Sequence, residues 1–146
     1  MTEPKAVFST CFGAPFLPLR PNVYAKMLNE KLAKHKAPVW LVNTGWTGGP
    51  YGVGTRMKIA YTRAMINAAL EGRLDKVEYT RHPSLNIDVP KTCPGVPNEV
   101  LDPRTTWKDP KAYDESARKL AAMFVDNFKQ FEADVTPAVR EAGPKP

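Results

Sequence analysis

Five glycines and a proline fall between Asn43 and Gly54, a density needed only where a backbone turns through positive φ or approaches something closely. Within this stretch, Gly49-Pro50-Tyr51-Gly52-Val53-Gly54-Thr55-Arg56 has the glycine spacing of a phosphate loop. In such a loop backbone amides cradle phosphates, a lysine reaches the β- and γ-phosphates, and a hydroxyl holds magnesium. Both chemical positions fail here: Thr55 stands where the lysine belongs, and Arg56 where the hydroxyl belongs. A dinucleotide fingerprint fails as well, because Met57 occupies the place of the third glycine after Gly52-Val53-Gly54. On spacing alone this is a glycine-rich turn of unassigned purpose.

Other reactive side chains are sparse. The two cysteines, Cys11 and Cys93, have no CxxC partner, and His35 and His82 complete a poor supply of soft ligands, so no metal site is expected from this chain alone. Each thiol reads as a small buried hydrophobe rather than half of a disulfide. A formal charge of +6 and a pI near 9.4 favour anionic partners: nucleotides, phosphorylated metabolites or nucleic acid. The basic residues are dispersed along the chain with no nucleic-acid-binding pattern, so nucleic acid is not the expected partner. No apolar run approaches the roughly 20 residues of a membrane span, and Met1-Thr2-Glu3-Pro4-Lys5 lacks the layout of a signal peptide.

The elements that must position the loop follow from periodicity. The chain's 146 residues suit one domain, and 15 prolines imply many turns between short elements. Val7 to Pro18 reads as a short strand running into a buried loop. Pro21 then opens a helix carrying Val23, Tyr24, Met27, Leu28 and Leu32 on one face, through about Lys36. Val39-Trp40-Leu41-Val42 suits a strand buried on both sides. Beyond the loop, Arg56 to Tyr61 reads as extended, and Thr62 as the cap of a helix with Ala64, Met65, Ile66, Ala69 and Leu70 inward, ended near Gly72. Residues 76–103 hold turns and one or two short strands. Asp109-Pro110 starts a helix whose stripe runs from Tyr113 through Ala117, Ala121 and Phe124 to Phe131, and residues 137–146 read as a frayed tail.

The longer string Asn43-Thr44-Gly45-Trp46-Thr47-Gly48-Gly49-Pro50-Tyr51-Gly52-Val53-Gly54-Thr55-Arg56-Met57-Lys58-Ile59 resembles the signature of ATP-dependent phosphoenolpyruvate carboxykinases. Similar family segments are Phe8 to Phe16 with the preceding Thr2-Glu3-Pro4, Tyr61-Thr62-Arg63-Ala64, Cys93-Pro94-Gly95-Val96-Pro97, and Leu101-Asp102-Pro103-Arg104 through Thr106-Trp107. The resemblance covers nearly the whole chain.

It implies an α/β fragment, a mixed sheet with flanking helices, from the C-terminal nucleotide-binding domain of a cytoplasmic gluconeogenic lyase. In such enzymes ATP and oxaloacetate are the substrates, and Mg2+ and Mn2+ are held by residues upstream of this portion. The partner of this piece would then be the missing N-terminal portion of the same enzyme, with no nucleic acid and no membrane. By the family pattern, Arg56, Met57 and Thr62 match the adenine-side ATP contacts, while catalytic and metal-binding positions have no counterpart. Thr55 departs from the family, which commonly has lysine there, and removes one expected basic group. The alternative is a non-catalytic module that binds adenine nucleotides or, through its basic charge, nucleic acid. The purified 146-residue chain is expected to show no carboxykinase turnover, since it lacks the groups that stabilise charge during phosphoryl transfer. Chelator-sensitive consumption of oxaloacetate and ATP by that chain contradicts this.

Overall fold

Proline and glycine punctuate the computed structural model, which describes residues 7–146. Pro21 supplies the fixed φ of a first helical turn to α1, Pro21–His35, and Lys36 closes it in the left-handed region at φ 50°. The helix matches its sequence reading, but Val23, Met27 and Leu28 of its apolar stripe are exposed. The preceding segment is neither a strand nor buried. It forms a 3-10 turn at Ala14–Phe16, with Phe12 and Phe16 in solvent and Cys11 exposed, so the expected buried thiol is not found there. Phe8 reaches the body, its ring 5.1 Å from that of Phe124.

The expected mixed sheet is replaced by two separate two-stranded antiparallel sheets among the described residues. The first joins β1, Trp46–Thr47, to β2, Thr55–Arg56; the second joins β3, Tyr79–Arg81, to β4, Asp88–Pro90. Residues 39–42 belong to neither and pair with no described strand. The fold class is therefore mixed helix and strand in a coarser sense than the sequence implies.

Between the two sheets lies α2, Ile59–Leu70. Its N-cap is Lys58, not Thr62, which sits within the helix after its first turn. At the other end Gly72, at φ 67°, lets the chain reverse, so that Arg73 N–H donates to Ala68 O at 2.9 Å and Gly72 N–H to Ala69 O at 3.2 Å. This pair of hydrogen bonds closes the helix and satisfies two of its last carbonyls. Ala68 is fully buried and clusters with Leu74, Cys93 and Val96. Cys93 and Val96 bridge across a tight turn whose Gly95 lies against Ala64 of α2.

Two short helices, α3 (Asn98–Leu101) and α4 (Pro103–Thr106), lead to α5, Pro110–Phe128, where Asp109 accepts from Lys111 N–H at 2.9 Å. The α5 stripe buries Ala117 and Ala121. Arg104 grips Asp114 with two bonds of 2.8 and 3.0 Å, tying α4 to α5. The tail is not frayed: α6, Pro137–Glu141, is followed by a docked segment in which Asn86 Nδ2 donates to the Ala142 and Gly143 carbonyls and Lys145 N–H to Ser84 O. Paired backbone and side-chain bonds hold what composition alone suggests is loose. Asp109→Ala removes the cap of the longest helix and is expected to cost about 0.5–2 kcal/mol of stability, read as a lower denaturant midpoint with unchanged slope.

Candidate functional site

The glycine-rich loop becomes a hairpin because its backbone folds onto itself at Pro50. Val53 N–H and Gly54 N–H both donate to the Pro50 carbonyl, at 3.0 and 2.9 Å. A β-carbon at Gly54 would lie 2.7 Å from the Thr47 carbonyl oxygen, and closer still to that of Gly49, so no other residue fits without opening the turn. The outcome differs from a phosphate loop in a way that explains the failed pattern. Strand β2 intervenes between the glycines and α2, so the loop amides do not run directly into a helix N-terminus, where phosphate would be held.

Register then sets the chemistry. Trp46 pairs with Arg56, and directly paired residues of an antiparallel ladder project on the same face. Trp46 is half exposed and packs edge-to-face on Tyr51, with ring centroids 5.6 Å apart. Arg56 is exposed, and among the described residues its guanidinium meets no carboxylate. Met57 is half-buried, and its N–H is committed to the Gly45 carbonyl at 3.1 Å, so its backbone has only the carbonyl to offer a ligand. Thr62 is half-buried just past the first turn of α2, and its hydroxyl takes no part in capping. The three sequence-predicted positions thus share one junction, the exit of the hairpin and the first turns of α2. Two side chains there escape the sequence reading. Trp46 gains meaning only from the ladder register, and Lys58, the N-cap, holds its Nζ 5.6 Å from the Tyr61 ring centroid.

A concavity of about 1080 Å³ lies elsewhere, between the β3–β4 hairpin, α3, α4, α5 and the docked tail. It includes none of Arg56, Met57 or Thr62. His82 and Tyr113 line it. His82 Nδ1 accepts from Leu85 N–H at 3.1 Å, which places the neutral ring's proton on Nε2, 2.8 Å from the Tyr113 hydroxyl. Burial pushes the His82 pKa below its ordinary value, with Asp102 and Asp114 opposing, and burial pushes Tyr113 upward. Of the five lysines and arginines that line it, Arg81 is held by Asp88, Lys91 by Glu78 and Arg104 by Asp114, while Arg118 and Lys145 form no ion pair among the described residues. The Arg104 guanidinium holds the Asp114 carboxyl below the usual carboxylate range. Among the described residues no three His, Cys, Asp or Glu side chains converge on a common point.

The family model for phosphoenolpyruvate carboxykinase matches residues 1–99, which include the hairpin, α2 and the Cys93 turn. The chain belongs to the phosphoenolpyruvate carboxykinase (ATP) family. It is 61% identical over 143 residues to phosphoenolpyruvate carboxykinase (ATP) 1 of Moorella thermoacetica, covering 98% of this chain and 27% of that protein. It is 57% identical over 145 residues to the phosphoenolpyruvate carboxykinase (ATP) of Caldanaerobacter subterraneus subsp. tengcongensis, covering 99% of this chain and 28% of the relative. The Thermus thermophilus carboxykinase is likewise 57% identical over 99% of this chain and 27% of its own length. The chain thus spans about a quarter of the curated carboxykinases it matches. Among the described residues no helix is long and apolar enough to cross a membrane.

The His82 geometry generates a pH dependence. Because the folded ring has a depressed pKa, its contribution is complete above the unfolded value of about 6.5. It is lost as pH falls through the folded pKa, when a protonated Nδ1 can no longer accept from Leu85. The denaturant midpoint is expected to fall between pH 7 and pH 5, and His82→Gln should flatten that fall while lowering the midpoint at pH 7. An unchanged slope in His82→Gln contradicts the assignment.

Proposed function

We propose that this chain is the C-terminal portion of the nucleotide-binding domain of an ATP-dependent phosphoenolpyruvate carboxykinase, and that Arg56, Met57 and Thr62 form the adenine side of its ATP site. The observation that carries the reading is the pairing of Arg56, which forms no ion pair among the described residues, with a half-exposed Trp46 on one face of the hairpin. A planar guanidinium beside an indole suits a flat purine, which either can stack against. Met57 adds an adaptable apolar wall and one free carbonyl able to accept from an exocyclic amine. Thr62 adds a hydroxyl released from any capping duty, and Lys58 a second cation.

In the complete enzyme the proposed reaction takes oxaloacetate and ATP. The bond to the departing carboxylate breaks, releasing carbon dioxide and leaving its electron pair in an enolate. The enolate oxygen takes the γ-phosphoryl group, giving phosphoenolpyruvate and ADP. The reading places this in gluconeogenesis, in the cytoplasm. Mg2+ and Mn2+ belong to the family's chemistry, yet the donor set among the described residues does not fit them, and no step through a metal is assigned to this chain. Its part is to bind and orient the base, so that the phosphates fall onto groups supplied by the rest of the enzyme.

The test uses the chain joined in frame behind the upstream three quarters of the Moorella thermoacetica carboxykinase. Arg56→Ala and Thr62→Ala should each raise the ATP constant five- to thirtyfold, about 1–2 kcal/mol, while leaving kcat and the oxaloacetate constant nearly unchanged. Arg56→Lys should recover part of the loss, keeping charge without the flat fork. An intact ATP constant with a collapsed kcat in Arg56→Ala assigns the arginine to the phosphates and overturns the adenine reading.

A further inference from the structure

Residues 39–42 alternate in exposure as a strand does, yet pair with no strand among the described residues. Val39 is 63% exposed and Leu41 80%, whereas Val42 is 43% exposed and Trp40 is half-buried. Trp40 packs against the Ala68–Leu74 cluster, its ring 6.2 Å from that of Tyr79. Exposure that rises and falls with a period of two is the pattern of a strand covered on one face. Among the described residues, however, no backbone N–H or C=O of Val39 to Val42 has a hydrogen-bond partner in a ladder, turn or cap. The Trp40 indole nitrogen is buried and unpartnered as well. An apolar run with an open ladder edge is a template for another strand.

We infer that Val39 to Val42 pair with a strand from the upstream part of the carboxykinase polypeptide, which also covers Val39 and Leu41. This rests on the reading proposed above, that the chain is one portion of such an enzyme. Three observations point to that occupant. The chain spans 28% of the Caldanaerobacter relative, so most of such a protein lies outside it. Val23, Met27 and Leu28 of α1, the helix that precedes the run, are left exposed as well. And the run leads within three residues to Gly45, whose carbonyl accepts from Met57 N–H at the base of the nucleotide hairpin. Pairing at 39–42 therefore fixes the base of the hairpin from its other side, and couples assembly of the enzyme to the shape of its adenine pocket.

Amide hydrogen exchange resolved at residues 39–42 tests this, comparing the isolated chain with the in-frame fusion to the upstream Moorella portion. In the fusion these amides should exchange on the order of a hundredfold more slowly, while in the isolated chain they should exchange at rates near those of unstructured peptide. Equally fast exchange in both proteins overturns the inference, whether or not the fusion binds ATP. Protection that appears in the isolated chain and grows with its concentration overturns the assigned occupant, since the edge would then pair copies of this chain. Protection in the fusion, with an ATP constant indifferent to Arg56→Ala, leaves the strand inference standing and removes the adenine reading instead.

Discussion

Between Thr47 and Thr55 the backbone approaches itself so closely that a β-carbon at Gly54 would stand 2.7 Å from the Thr47 carbonyl. Steric exclusion at that one residue shapes the hairpin and its exit. It lets two amides converge on Pro50, brings β1 and β2 into register, and so sets Trp46 opposite Arg56. The Met57 bond to Gly45 then passes the chain to α2 in a fixed direction. Without the closed hairpin, Arg56 and Trp46 would be two unrelated side chains well separated in sequence, and no face would exist for a base to lie on.

Local signals are legible wherever a single side chain enforces them. Pro21 and Asp109-Pro110 mark helix starts because their φ restriction and capping act within one turn, and both helices begin where expected. Gly72 marks an end for the same reason. Sequence reading fails where the outcome depends on a partner. Val39 to Val42 have strand composition, yet a strand is a pairing, and no described segment supplies one. The expected mixed sheet depends on that run and is absent with it. Thr62 has a good capping residue type, but β2 ends early enough for Lys58 to take the cap first. The tail reads as loose because its anchor, Asn86, is distant in sequence and reaches the Ala142 and Gly143 carbonyls only in the fold.

The same distinction applies to the site. Glycine spacing resembles a phosphate loop, yet the intervening strand moves the amides away from the helix, so the loop's geometry serves side chains on its exit instead. The family pattern selects Arg56, Met57 and Thr62 without saying how they meet. The ladder supplies a reason for Arg56 and adds Trp46, which no spacing argument could select. The cleft near His82 and Tyr113 is the competing location: three of its five cations are held by Asp88, Glu78 and Asp114, whereas Arg118 and Lys145 form no ion pair among the described residues.

Those two locations are far enough apart along the chain for covalent marking to separate them. Photolabelling the in-frame fusion with an ATP analogue bearing an azide on its adenine ring, followed by peptide mapping, tests the central claim most directly. The account predicts ATP-protectable label on the hairpin and the start of α2, between Gly45 and Tyr61, and above all at Trp46, Met57 or their neighbours. Protectable label on the β3–β4 hairpin or on α5, around His82 and Tyr113, would contradict it and move the nucleotide's base to the cleft.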